Sequence, residues 1–170
     1  TPEMRKAAKA LNFGILFGMG AKSFMEYAKN DYGIQITKDQ AKEYIKRFFD
    51  AYPDFKHWKK TVMKNYDMRT LGTRGFFNVK KKYTQRLNFP IQGSEADILK
   101  TALCLLTERL KGTTGKIVAC IHDEIILECA KEEGEQMKQI LQNSMEEAGR
   151  VYLKRVPVVA EAEIRKSWAD

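Results

Sequence analysis

Residues 117–130 read IVACIHDEIILECA. Two apolar runs of strand-like composition flank His122, Asp123 and Glu124, three polar residues that a sheet core excludes. Strands are predicted over 116–122 and 125–129, which leaves no chain for a longer loop, so the polar triplet falls in a tight hairpin turn at a sheet edge. The adjacent carboxylates of Asp123 and Glu124 repel each other and gain from a cation, and their oxygen donors suit Mg²⁺. Taken alone, the triplet fits either a metal-binding tip or a solvated polar turn.

The segments around this hairpin set the fold class. Upstream, SEADILKTALCLLTERLKG (residues 94–112) is predicted as a buried helix of about five turns, with Ser94 and Asp97 as a capping box and Gly112 as its stop. Downstream come a helix over 131–148 closed by Gly149 and a last strand over 157–165. Helices are also predicted from Pro2 to the Gly18/Gly20 pair, over 21–30 and 38–50, and from Pro53 towards Arg69, with Thr1 as the N-cap of the first. Residues 70–83 are glycine-punctuated and β-prone, which suggests a hairpin or an irregular connection. The fold class is α+β: a helical part, 1–70, and a part containing an antiparallel sheet backed by helices, 71–170.

The 170 residues carry a net charge of +8. The charge is unevenly placed: residues 1–90 hold 19 Lys and Arg against 8 Asp and Glu, a net of +11, whereas residues 91–170 hold 11 against 14, a net of −3. An anionic partner is therefore expected on the first half. Cys104, Cys120 and Cys129 lie in apolar runs without metal-ligand spacing and read as buried thiols of a reducing, intracellular compartment. No apolar run reaches the length of a membrane span, which is about 18 residues, and there is no basic-then-apolar leader, so a soluble protein with no membrane partner is expected.

The first helix carries a second constellation. Met4, Ala8, Leu11 and Ile15 share one face and are assigned to the core. Arg5, Lys9, Phe13 and Phe17 follow each other at intervals of four, so two cations and two rings line a neighbouring edge. Cations can hold phosphates while a ring stacks on a base or sugar; the same stripe also fits a basic helix whose rings turn into the core.

RKAAKALNFGILFG (5–18) resembles the fingers helix of family A DNA polymerases, the bacterial DNA polymerase I group, in which Arg, three residues, Lys, seven residues, Tyr and Gly recur. Arg5, Lys9 and Gly18 match, and Phe17 stands in place of the Tyr. NFPIQGSEADILKTAL (88–103) is similar to the family's palm helix, IHDEIILE (121–128) to its palm hairpin, and VPVVAEAEIRKSW (156–168) to its closing segment. The motifs come in the family's order and cover nearly the whole chain.

The resemblance implies a template-directed nucleotidyl transfer from dNTP to a primer 3′-hydroxyl with two Mg²⁺ ions. It implies that Arg5 and Lys9 contact the triphosphate, that Phe13 packs on sugar and base, and that Phe17 lies beside the templating position. Asp123 would bind metal, Glu124 would be an auxiliary carboxylate, and His122 would touch the primer terminus. Asn88 and Gln92 would reach the minor groove of primer-template DNA, whose acceptors are shared by all base pairs.

The chain departs from the family at three further places. Thr84 stands where an Arg is common four residues before Asn88, with Arg86 two places late; Thr73 blurs a Gly-Arg pattern near Gly72 and leaves Arg74 as a looser match. The strand that brings the family's first metal-binding Asp, of the type Asp-Tyr-Ser-x-Ile-Glu, has no counterpart in order; DYGIQI (31–36) imitates it but falls between helices and reads as a turn. The expected metal site is thus half a site, the 170 residues are expected to be inactive alone, and the missing N-terminal part of the polymerase, on the same or a separate polypeptide, is an expected partner. The runner-up is a non-catalytic nucleic-acid-binding module on the same scaffold. A metal-dependent nuclease ranks last, because only one adjacent carboxylate pair is offered at a tip.

Overall fold

The computed structural model describes residues 2–16, 18–64, 68–76 and 83–168, so the expected N-cap Thr1 lies outside the described residues. The elements run α1 (Pro2–Leu16), α2 (Ala21–Tyr32), α3 (Lys38–Ala51), α4 (Pro53–Lys64), β1 (Met68–Arg69), β2 (Gly75–Phe76), α5 (Tyr83–Arg109), β3 (Lys116–Ile121), β4 (Glu124–Glu128), a 3₁₀ turn (Lys131–Glu133) and α6 (Gly134–Tyr152). The class is α+β, mostly helical with small antiparallel sheets. Two compact units divide the chain, Thr1–Gln92 and Gly93–Asp170.

In the first unit, α1, α2 and α3 pack around Ala10, Phe24, Ala28 and Ala41, all buried. Three of these four are alanines, which let helix backbones approach closely around one ring. The packing turns α1 away from the expected face: Ile15 is buried and Leu11 half-buried, but Ala8 is exposed and Ala10 takes the core position; the side chain of Met4 lies outside the description. Alanine fits either face, so the periodicity at this end did not decide between them. α1 ends where the sequence expected, with Gly18 at φ +77° and the Gly18 and Met19 amides donating to Ile15 and Gly14 carbonyls at 3.0 and 2.9 Å. Thr37 caps α3 in a capping box with Gln40. Residues 33–37 link α2 and α3 without regular structure, so DYGIQI is a helix end and turn, as expected.

A second core joins Val62, Met68 and Leu87, with Trp58 and Phe89 against it. The helix from Pro53 does not reach Arg69: Met68 is buried from a strand, and Met68 and Arg69 pair with Phe76 and Gly75. Buried Thr70 closes the hairpin, its amide donating to the Arg74 carbonyl at 3.0 Å and its Oγ1 accepting the Arg74 amide at 3.0 Å.

In the second unit, α5 and α6 cover the β3–β4 hairpin through Ala102, Leu106, Ile125 and Ala148. Arg109 reaches across to α6, donating to buried Ser144 at 3.0 Å and pairing with Glu147, while Thr101 and Tyr152 share a hydroxyl hydrogen bond of 2.9 Å. Three expectations are corrected here. α5 begins at Tyr83, so Ser94 and Asp97 are buried mid-helix and form no capping box; Pro90 and Gly93 lie inside the helix instead of preceding it. Gly149 lies within α6 and does not close it. It is buried, and a Cβ there would lie 2.5 Å from Val158 Cγ1. Residues 157–165 pair with no strand among the described residues; at Ala160 the backbone bonds to α6 side chains instead, Gln142 Nε2 donating to the Ala160 carbonyl at 2.9 Å and the Ala160 amide donating to Glu146 at 3.3 Å.

The thiols are also corrected. Cys104 and Cys120 are exposed and Cys129 is half-buried; all three are free. Cys120 alternates outward along β3 with Lys116 and Val118, the face that the apolar composition concealed. Among the described residues no helix is long and apolar enough to cross a membrane.

Candidate active site

The β3–β4 hairpin places His122, Asp123 and Glu124 at an exposed turn, as the sequence required. Ile121 pairs with Glu124, so His122 and Asp123 are the two central residues. A two-residue hairpin needs a turn whose twist matches the strands, which demands positive φ at its first central position. His122 meets that demand at φ +56°, a conformation that disfavours any side chain, by roughly 1–2 kcal/mol. Glycine would take this φ without strain, and among side chains His, Asn and Asp adopt it most readily. Ile125, the next residue, is buried and anchors the turn to the unit's core.

Asp123 and Glu124 present oxygen donors of the kind that a hard divalent cation takes, and either could contribute to such a site. Two carboxylates from one turn leave most coordination positions to other groups. Among the described residues no group of three or more His, Cys, Asp or Glu side chains is arranged to hold a metal.

In the first unit, Arg5, Lys9 and Phe13 are exposed along one edge of α1, with Lys9 Nζ 5.9 Å from the Phe13 ring centroid. Among the described residues no carboxylate pairs with Arg5 or Lys9. Two cations one helical turn apart on an exposed edge are of the chemistry that holds phosphate groups. Phe17, the last member of the stripe, lies outside the described residues.

Asn88 and Gln92 are one turn apart on α5. Gln92 is exposed, while Asn88 Oδ1 is buried with no hydrogen-bond partner among the described residues. Arg86 donates to the Met63 and Val62 carbonyls at 3.0 and 3.4 Å, binding the last turn of α4. Thr84 beside it is half-buried, and Arg74 is exposed on the β1–β2 loop, where Thr73 holds φ +63°. One feature escaped the sequence: a groove of about 550 Å³ bordered by Lys42, Lys46, Lys59 and Tyr83. The interval of four between Lys42 and Lys46 on α3 was its signal.

The profile of DNA polymerase family A matches residues 1–170. The chain belongs to this family. It is 41% identical to DNA polymerase I of Aquifex aeolicus (strain VF5), covering 99% of this chain and 30% of that protein, and 36% identical to DNA polymerase I of Caldicellulosiruptor bescii, covering 100% and 21%. The POL domain of Pol1 from M. smegmatis, solved in complex with DNA primer-template and dNTP, superposes with a TM-score of 0.75 at 26% identity, covering 87% of this chain and 28% of that one. The chain thus spans 30% or less of the length of these family A relatives. The family match extends over both compact units, so the α1 stripe and the β3–β4 turn belong to one family A segment.

Proposed function

We propose that these 170 residues supply the fingers helix and the hairpin half of the palm to a DNA-directed DNA polymerase, residues 1–70 acting as fingers and 71–170 as part of the palm. The observation that carries the proposal is the β3–β4 turn, which keeps His122 at positive φ and exposes Asp123 and Glu124 at its tip. The reaction is transfer of a nucleotidyl group from dNTP to a primer 3′-hydroxyl along primer-template DNA.

In this reading Arg5 and Lys9 hold the triphosphate, and Phe13 covers the sugar and excludes water from it. Phe17 lies by the templating position. Asn88 and Gln92 donate through their side-chain amide N–H groups to minor-groove acceptors of the primer-template duplex. His122 positions the primer terminus. Asp123 would hold Mg²⁺ with Glu124 as auxiliary carboxylate, and two such ions, when bound, stabilise the attacking and leaving oxygens. A second metal-binding Asp from a segment outside these residues, on the same or a separate polypeptide, completes the site.

The test is Mg²⁺-dependent primer extension by the chain joined to, or mixed with, a relative's Asp-bearing palm segment. Template-directed incorporation that is lost with Asp123→Asn supports the reading. Tight primer-template binding with no incorporation under any complementation would favour a non-catalytic binding module.

A further inference from the structure

We infer that the outer face of α4 is a docking surface for double-stranded DNA, held through its phosphate backbone. Lys56, Lys60 and Lys64 follow each other at intervals of four along this helix and all three are exposed, with His57 beside the row. The opposite face is fixed by packing: Val62 is buried, and the Phe55 and Trp58 rings are half-buried and stack with centroids 5.2 Å apart. Lys59 is half-buried on that side, over the Phe49 and Tyr83 rings. Arg86 secures the last turn through its bonds to the Met63 and Val62 carbonyls. The lysine row is therefore held towards solvent. It lies outside the four segments that carry the family's motifs.

The arrangement of charge distinguishes α4 from the other basic helix beside it. α3 carries Lys38, Lys42 and Lys46 at the same interval, but Asp39, Glu43 and Asp50 are interleaved with them; Lys42 pairs with Asp39 at 3.0 Å and Arg47 with Glu43 at 2.8 Å. α4 holds four lysines against one carboxylate, Asp54 in its first turn, and among the described residues no carboxylate pairs with Lys56, Lys60 or Lys64. Like charges one turn apart repel, and Lys56 lies near the N-terminal end, where the helix dipole disfavours a cation. No contact among the described residues relieves this repulsion, whereas a row of phosphates does. From Lys56 to Lys64 the helix rises about 12 Å, over which B-DNA presents about seven phosphates, so all three ammonium groups find acceptors without bending either partner. The row presents no Phe, Tyr or Trp ring on which an unpaired base could stack, and a duplex carries the denser charge, so it is favoured over a single strand. The choice of DNA among polyanions rests on the family to which the chain belongs, not on the nucleotidyl transfer assigned to the β3–β4 turn.

The experiment measures fluorescence anisotropy of the 170-residue chain with a labelled blunt duplex of about 20 base pairs, titrated between about 50 and 200 mM salt. Lys56→Gln/Lys60→Gln/Lys64→Gln is compared with Lys22→Gln/Lys29→Gln/Lys38→Gln, an equal charge change at exposed lysines of α2 and α3. The α4 variant is expected to lose roughly 10- to 100-fold in duplex affinity at the lower salt, with a salt slope reduced by up to about 2.7 for three lost phosphate contacts, while the control stays within about threefold of wild type. Urea unfolding of the α4 variant should give an equal or higher midpoint, because the repulsion along the row is gone. Lys56→Arg/Lys60→Arg/Lys64→Arg keeps the charge and should bind as wild type does. If the triple Gln variant fails to fold, Lys60→Gln alone decides, with an expected slope reduction of about 0.9. Equal losses in the α4 and control variants, an unchanged slope, or tighter binding of an oligothymidylate than of the duplex would overturn the inference. Displacement of the duplex by polyglutamate at equal charge concentration would overturn it in favour of an acidic polypeptide. No nucleotide or metal enters this assay, so a failed primer extension with intact α4 effects would sink the polymerase reading alone, and the reverse pattern would sink the α4 surface alone.

Discussion

Lys9 Nζ lies 5.9 Å from the centre of the Phe13 ring, one turn along α1, so a cation and an aromatic face share one exposed edge. If that edge holds a nucleotide, the two residues divide the work, and the division can be measured. Lys9→Ala removes a point charge from the triphosphate and leaves the duplex contacts of Asn88 and Gln92. A charge-assisted hydrogen bond is worth about 1.5–3 kcal/mol, so apparent dNTP affinity in the completed enzyme should fall roughly 10- to 150-fold, with primer-template affinity little changed. A loss confined to duplex affinity would show that Lys9 serves the DNA instead.

Phe13 offers no polar group to the sugar. A 3′-deoxy terminator, lacking the hydroxyl that a normal substrate brings, should therefore be a poor substrate. Phe13→Tyr would place a hydroxyl in that space and raise terminator use by roughly 5- to 150-fold, for about 1–3 kcal/mol of one recovered buried interaction, with normal nucleotide use little changed. The ratio of the two incorporation efficiencies in wild type and variant is the readout, and an unchanged ratio would place Phe13 away from the sugar.

The positive φ of His122 predicts opposite effects on stability and activity. His122→Gly relieves the strained position, worth roughly 1–2 kcal/mol, against a glycine entropy cost of roughly 0.5–1 kcal/mol. Urea unfolding should show equal or higher stability, by up to about 1.5 kcal/mol, while primer extension in the completed enzyme falls. A destabilised variant would mean that the imidazole supports the hairpin.

Thr73 offers the same test without a catalytic role. A β-branched residue at φ +63° is strained by its Cβ, so Thr73→Gly should raise stability by about 0.5–1 kcal/mol, whereas Thr73→Ala, which keeps the Cβ, should not. Denaturant midpoints of the two variants decide it.

The parts of the structure that were legible in the sequence are those fixed by local chemistry. The β3–β4 turn followed from two apolar runs with no spare residues between them, and the end of α1 from Gly18, whose φ of +77° a side chain resists. What was misread depended on tertiary partners. The helix was read as starting at Ser94, yet α5 begins at Tyr83 and runs through Pro90 and Gly93, with Leu87 in one core and Ala102 and Leu106 in another. Residues 157–165 had strand composition but find no partner strand among the described residues, and the Ala160 amide and carbonyl bond to Glu146 and Gln142 on α6, which no local pattern announces. At the site, the cations at Arg5 and Lys9 were readable from their spacing, whereas the groove at Tyr83 is lined from residues 18–21, α3, α4 and α5 and has no contiguous signature.

The most direct measurement is template-dependent dNTP incorporation by the chain completed with an Asp-bearing palm segment, compared with the same assembly carrying Asp123→Asn and with the 170 residues alone. Loss of a metal-holding carboxylate removes several kcal/mol of transition-state stabilisation, so the variant should fall by roughly 1000-fold or more, and the chain alone should show no extension. Asp123→Asn activity within a few-fold of wild type, or robust synthesis by the 170 residues unaided, would contradict the assignment of the β3–β4 turn as half of a two-metal site.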